Sequence, residues 1–184
     1  MILASASPRR AELLRNAGLD FVVRPAHIPE QRQDSEPPRE YAIRLARDKA
    51  RAVAAQNPGA FVLGADTIVV ADEHVLEKPA DSADAARMLR LLSGRTHQVT
   101  TAVGLIGPGV EDTATETTEV VMSVISEDEI RAYVATGEPL DKAGAYAIQG
   151  IASRWVTRID GCYFNVVGLP VPLVYRMLRE RRAI

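Results

Sequence analysis

Six consecutive residues, Ser5-Ala6-Ser7-Pro8-Arg9-Arg10, bring two hydroxyls and two guanidiniums to the point where a short apolar stretch gives way to a helical pattern. Ser7 suits the N-cap and Pro8 the first helical position. Backbone N–H groups, the positive end of a helix dipole and the two arginines together make an anion cradle, and a phosphate chain is its natural ligand. The plain alternative is an ordinary capped helix with solvated arginines. A second feature lies at residues 61–71, FVLGADTIVVA. Two apolar, β-branched or aromatic runs read as buried strand and flank a single carboxylate, Asp66. An unpaired ionised Asp in such a place costs several kcal/mol, which argues for a metal-binding or catalytic role. The alternative is a turn Asp between two strands, bonding its own backbone. Gly64 is expected to bend the chain or admit a ligand.

Other polar residues are bland alone. Lys49 sits inside a helical stretch, Lys78 in a loop before Pro79, and Glu30 in a polar segment; each is a surface residue by default. Gln149, beside Gly150, is either a loop residue or an amide that reads a nucleobase. No GxxxxGK[S/T] occurs, which disfavours a Walker-type triphosphatase, and no HExxH, CxxC or histidine cluster suggests zinc. His27, His74 and His97 are scattered, and Cys162 before Tyr163-Phe164 reads as a buried strand residue.

The elements that must position these groups follow from periodicity and punctuation. Residues 1–4 read as strand, 8–17 as helix ended by Gly18, and 20–24 as strand. Residues 25–38 form a long exposed loop. Residues 39–56 read as an amphipathic helix stopped by Asn57-Pro58-Gly59. After the central strands comes a short return at Val75-Leu76, then a helix capped by Asp81 or Ser82. Residues 96–106 and 113–125 read as a long antiparallel hairpin, with Val99, Thr101, Val103 and Leu105 on one face. Ser126 to Glu129 is a capping box. Residues 137–150 read as glycine-rich loop, 155–159 and 163–167 as strands about Asp160-Gly161, and 170–182 as a closing helix. The order mixes βα units with hairpins, so the class is α/β with a mixed sheet.

Composition bounds the partners. The 184 residues suit one domain, or two small lobes sharing a sheet, and 47% hydrophobic content is enough for a core. The net charge of −2 supplies no global field for nucleic acid, so any anion site is local. The lone cysteine forms no internal disulfide, which fits a reducing cytosol, and nothing reads as a signal peptide or membrane span.

In order along nearly the whole chain stand LASASPRRAELL, RLARDKARAV, GADTIV, LEKP, LSGRTHQV, PLDKAGAYAIQG, IDG and VGLP. In these motifs the chain resembles the Maf family of nucleoside triphosphate pyrophosphatases. The resemblance implies one domain over residues 1–184. Its fold would be elongated α/β with two lobes and a central cleft, similar to the inosine triphosphatases. Asp66 would be the catalytic base or a metal-bound carboxylate, and Glu30 would help hold a divalent cation, Mg²⁺ or Mn²⁺. Ser5, Ser7, Arg10, Lys49 and Lys78 would hold phosphates. At Arg9, Thr67 and Gln149 the chain is similar to the members that use dTTP and UTP. One departure is Pro29, where relatives often carry an acid, which leaves the number of metals open. The resemblance also implies a homodimer, and the lone cysteine fits a cytoplasmic protein. Two other readings stand beside it: a pyrophosphatase for damaged purine triphosphates, and a non-enzymatic regulator of septum formation.

Overall fold

The computed structural model describes residues 1–184. The elements in chain order are β1 (Ile2–Leu3), α1 (Pro8–Asn16), β2 (Val22–Val23), α2 (Pro38–Ala54), β3 (Val62–Ala71), β4 (His74–Leu76), α3 (Ser82–Leu92), β5 (Thr96–Gly107), β6 (Val110–Met122), α4 (Glu127–Ala135), β7 (Val156–Asp160), α5 (Tyr163–Val167) and α6 (Val171–Glu180). Three short 3-10 turns, Glu138–Asp141, Ala143–Ala145 and Ile151–Arg154, lie between α4 and β7. The seven strands share one sheet in the order β2-β1-β3-β5-β6-β7, with β4 paired to β3 outside that path. β1 runs parallel to both β2 and β3, whereas β3–β4 and β6–β7 are antiparallel, so the sheet is mixed as the pattern predicts.

Contacts divide the chain into two compact units. The first is Met1–Thr67, Thr101–Glu116 and Gly168–Ile184; the second is Ile68–Thr100 and Thr117–Val167. In the first, α2 turns Ala42, Leu45, Ala46, Ala50 and Val53 inward at helical spacing. Ala50 and Val53 pack with Ile2, Ala4 and Val62 in one apolar cluster. The small residues let backbones touch. A Cβ at Gly64 would overlap the Ala46 carbonyl oxygen, and one at Gly104 would lie 3.0 Å from the same atom. Gly64 therefore serves helix-on-strand packing rather than a bend or a ligand. β3 runs unbroken for ten residues through Asp66, so the expected pair of strands with a turn Asp between them is one strand.

In the second unit, α3 buries Ala85, Met88, Leu89 and Leu92, and α4 buries Ile130 and Tyr133. Asp81 caps α3, and Ser126 with Glu129 forms the expected capping box on α4. The Tyr133 ring stands edge-on to Trp155, with centroids 5.2 Å apart. One predicted strand is a helix. After Gly161, at φ 127°, the Cys162 carbonyl accepts the N–H groups of Asn165 and Val166 and opens α5. The buried Asn165 amide donates to the Val99 carbonyl at 2.8 Å and to Thr118 Oγ1 at 3.0 Å, while Tyr163 and Phe164 stay exposed. An Asn that must satisfy itself inside the sheet outweighs the β-propensity of its aromatic neighbours. Cys162 is half-buried in the turn, not in a strand. β5 is buried at every position from Val99 to Leu105, so the expected one-sided alternation is absent.

Candidate active site

The tight seating of α2 on β3 fixes the centre of the first unit. Side chains two apart on a strand share a face, so Asp66 faces the helix that Gly64 touches. On α2, Lys49 lies one turn beyond Ala46 and beside Ala50, on the same side. Its Nζ donates to Asp66 Oδ1 at 2.7 Å and pairs with Glu30 Oε2 at 3.0 Å. Lys49 and Asp66 are each only 7% exposed, so the default reading of Lys49 as a surface lysine is overturned. Glu30 is exposed, on the loop after β2. α2 holds that loop as well. Tyr41 Oη donates to the Glu30 carbonyl at 3.3 Å and Arg44 to the Gln31 carbonyl at 3.0 Å. Arg44 also grips both carboxylate oxygens of Glu36, whose pKa it holds down to about 2.

Burial pushes the Asp66 pKa up; Lys49 and Arg10 oppose the shift, and Glu30 adds to it. A buried carboxylate bonded to one ammonium, with a guanidinium in electrostatic range, is placed to exchange a proton or to meet a hard cation.

Thr67, the next residue, points the other way along β3. There Arg10 ties four places together. Its Nε donates to the Gly168 carbonyl at 2.8 Å, and Nη1 donates to Ser5 Oγ at 3.1 Å and to the Ala65 carbonyl at 2.8 Å. Nη2 donates to Thr67 Oγ1 at 3.0 Å. Four of the five N–H bonds of the guanidinium thus have protein acceptors. Burial lowers the Arg10 pKa while Asp66 and Glu30 raise it, so the two carboxylates lie within its field. Ser7 caps α1 by accepting the Arg10 N–H at 3.4 Å, and the Ser7 N–H in turn donates to Ser5 Oγ at 3.2 Å.

The structure therefore brings Glu30, Lys49 and Asp66 into one contact set and Ser5, Arg10 and Thr67 into another, coupled through the charges of Arg10 and Asp66, with Ser7 at the edge of the second. Arg9 is half-buried and lowers the Arg10 pKa by its charge. Lys78 and Gln149 are exposed on loops of the second unit. Sequence reading misses Thr101, whose Oγ1 is 2.9 Å from Thr67 Oγ1, and the carbonyls of Ala65 and Gly168. Backbone acceptors carry no residue-type signal, and the Arg10–Gly168 contact spans 158 positions.

The donor set also bears on a divalent cation. No group of three or more His, Cys, Asp or Glu gathers as a metal cage. Glu30 and Asp66 do converge on one cationic point, Lys49 Nζ. Mg²⁺ commonly takes one or two carboxylates, keeps several waters and borrows substrate phosphates. The residues present fit such an ion arriving with a polyphosphate.

Known proteins agree with this architecture. Residues 1–181 match the family described as Maf-like protein. A dTTP/UTP pyrophosphatase of Koribacter versatilis is 68% identical over 98% of this chain and 93% of its own length. Proteins of the same name from Symbiobacterium thermophilum and Geobacter metallireducens are 52% and 50% identical, over 98% and 100% of this chain and 93% and 97% of theirs. The solved Ham1 protein of Staphylococcus aureus shares the fold, with a TM-score of 0.53 at 13% identity over 98% of each chain. On the length of the match and the identity of these relatives, the chain belongs to the Maf-like protein family.

Proposed function

We propose that this chain hydrolyses dTTP and UTP to the nucleoside monophosphate and pyrophosphate. The observation that carries the chemistry is Asp66, buried on β3, bonded to Lys49 at 2.7 Å, with Glu30 on the same ammonium. The choice of substrate rests on the names of relatives up to 68% identical. A purine reading has only a likeness of fold beneath it. No structural observation favours a non-enzymatic regulator.

In the reaction, water attacks the α-phosphorus. The bond from that phosphorus to the bridging oxygen breaks, and pyrophosphate leaves. Asp66 accepts the proton of the attacking water or holds it in line through a hydrogen bond. Lys49 and Arg10 stabilise negative charge that grows on the phosphate oxygens. Arg10 acts chiefly through its charge, since most of its N–H groups are already committed. Ser5, Ser7 and Lys78 supply further phosphate contacts. Arg9, Thr67 and Gln149 face the base, with Gln149 offering the donor and acceptor that match the N3–H and O4 edge of uracil or thymine. A divalent cation held by Glu30 and Asp66 would neutralise phosphate charge and lower the pKa of bound water. The protein acts as a cytoplasmic homodimer. No helix is long and apolar enough to cross a membrane.

Pyrophosphate release measured across the common triphosphates plus ITP, with Mg²⁺ or Mn²⁺ and with chelator, tests the proposal. dTTP and UTP come first, CTP and ATP trail, and activity disappears with chelator. Nucleoside diphosphate and orthophosphate as products would overturn the reaction, and a purine ahead by tenfold would overturn the base assignment. Light scattering at micromolar protein tests the dimer against the 20.0 kDa monomer.

A further inference from the structure

Gln149 sits at the tip of a turn whose two ends are held by one pair of side chains. At the near end, the Ala147 N–H donates to Tyr133 Oη at 3.4 Å. At the far end, the Ile151 N–H donates to Glu138 Oε1 at 3.1 Å. The two holders are themselves joined, with Tyr133 Oη donating to Glu138 Oε1 at 2.9 Å. Between them the turn closes on itself through the Gly150 N–H and the Ala147 carbonyl at 3.0 Å. Ile148 points into the core and Gln149 points out. Gly150 lies so close to this pair that a Cβ there would overlap the Glu138 carboxylate.

Glu138 is held in turn. Its N–H donates to Thr136 Oγ1 at 3.2 Å, and its carbonyl accepts the Lys142 ammonium at 2.6 Å. Tyr133 is 1% exposed and packed on Trp155, and burial together with the Glu138 carboxylate keeps its phenol protonated as a donor. A carboxylate spent on one backbone N–H and one phenol is more than a surface turn needs to close, since the Gly150–Ala147 bond already closes it. What the pair adds is a fixed direction for the residue at the tip.

We infer that Glu138 and Tyr133 are positioning residues for Gln149, and that through it they set the preference of the enzyme among nucleobases. The inference rests on the proposed reading of Gln149 as the residue that faces the base. A hydrogen-bonding amide rejects the wrong edge only if it is held still, because a mobile amide re-pairs with whatever is offered.

The test is the ratio of kcat/KM for dTTP to that for CTP, measured on the same preparation of Glu138→Gln, Tyr133→Phe, Gln149→Ala and the double variant Glu138→Gln/Gln149→Ala. A variant that merely unfolds in part lowers both constants equally and leaves the ratio where it was. The expected result is a ratio that falls at least fivefold in Glu138→Gln and in Tyr133→Phe, mainly through a higher KM for dTTP. In the Gln149→Ala background, Glu138→Gln then changes the ratio no further. Collapse of the ratio in Gln149→Ala, with no change in Glu138→Gln or Tyr133→Phe, overturns the positioning role and leaves the base reading standing. Independent, additive losses also overturn it. An unchanged ratio in Gln149→Ala overturns the base reading, and the positioning role with it.

Discussion

The two units bury polar groups in opposite ways. In the first, the buried pair is ionic: Lys49 and Asp66 at 2.7 Å, with Arg10 and Glu30 in electrostatic range. In the second, the buried pair is neutral: His97 Nε2 and Tyr146 Oη at 2.8 Å, the rings edge-on. Burial holds the His97 pKa down to about 4 and pushes that of Tyr146 up, so both stay uncharged near neutral pH. Keeping charges dry costs more than keeping neutral dipoles dry, so a chain that does so invests stability where charge is used. The first unit keeps a charged pair out of water, and the second a neutral one.

The largest expected effect comes from removing the charge alone. Asp66→Asn keeps the shape and loses the proton acceptor, and kcat should fall by roughly two to four orders of magnitude. Steady-state kinetics on dTTP checks this, and a folded variant that keeps a third of wild-type turnover breaks the contrast. Next is Lys49→Met, which strands a buried carboxylate and should cost about 3–5 kcal/mol in urea unfolding at pH 7. A loss no larger than that of a surface lysine would mean the ionic pair is wet.

A smaller, sharper effect belongs to His97. Its pKa is about 4 when folded, against 6.5 as the reference value, so the unfolded chain binds the proton first as pH falls. Its effect is nil well above pH 6.5, and stability is lost progressively between 6.5 and 4, by about 2 kcal/mol at pH 5 relative to the same chain carrying His97→Gln. Equal pH slopes in the two proteins would show that folding leaves the His97 pKa where it is in the unfolded chain. The smallest effect is at the surface. Arg90 grips Glu127 with two bonds of 2.7 and 2.8 Å, but both are exposed, so Arg90→Ala should leave the urea midpoint unchanged.

Local signals are legible in the sequence wherever the physics is local. The Ser7 cap with Pro8, the capping box at Ser126 and the amphipathic α2 all stand where the pattern puts them. Asp66 stands out because an acid inside an apolar run needs a partner, although a turn Asp bonding its own backbone fits the same pattern. Lys49 alone is not, because a lysine among arginines on a helix looks solvated until Gly64 and Gly104 show how closely that helix meets the sheet. The strand assigned to residues 163–167 fails for a similar reason. Tyr163-Phe164 favours extended backbone, yet the partners that decide for a helix are Val99 and Thr118, far away in sequence. The four-way grip of Arg10 falls in the same class, since two of its four acceptors are main-chain oxygens.

That grip has a consequence for synthesis. Arg10 donates to the carbonyl of Gly168, and the second unit lies wholly between Ile68 and Val167. As the chain leaves the ribosome, the second unit is complete before the segment that closes the first has emerged. At roughly 5–20 residues per second, the N-terminal arginine waits on the order of ten to thirty seconds for its last partner. During that interval the nascent protein holds a finished loop-bearing half and an open charged half. A pause placed so that Val167 has just cleared the exit tunnel should therefore leave a chain that resists protease across residues 68–100 and 117–167 and is cut within residues 1–67.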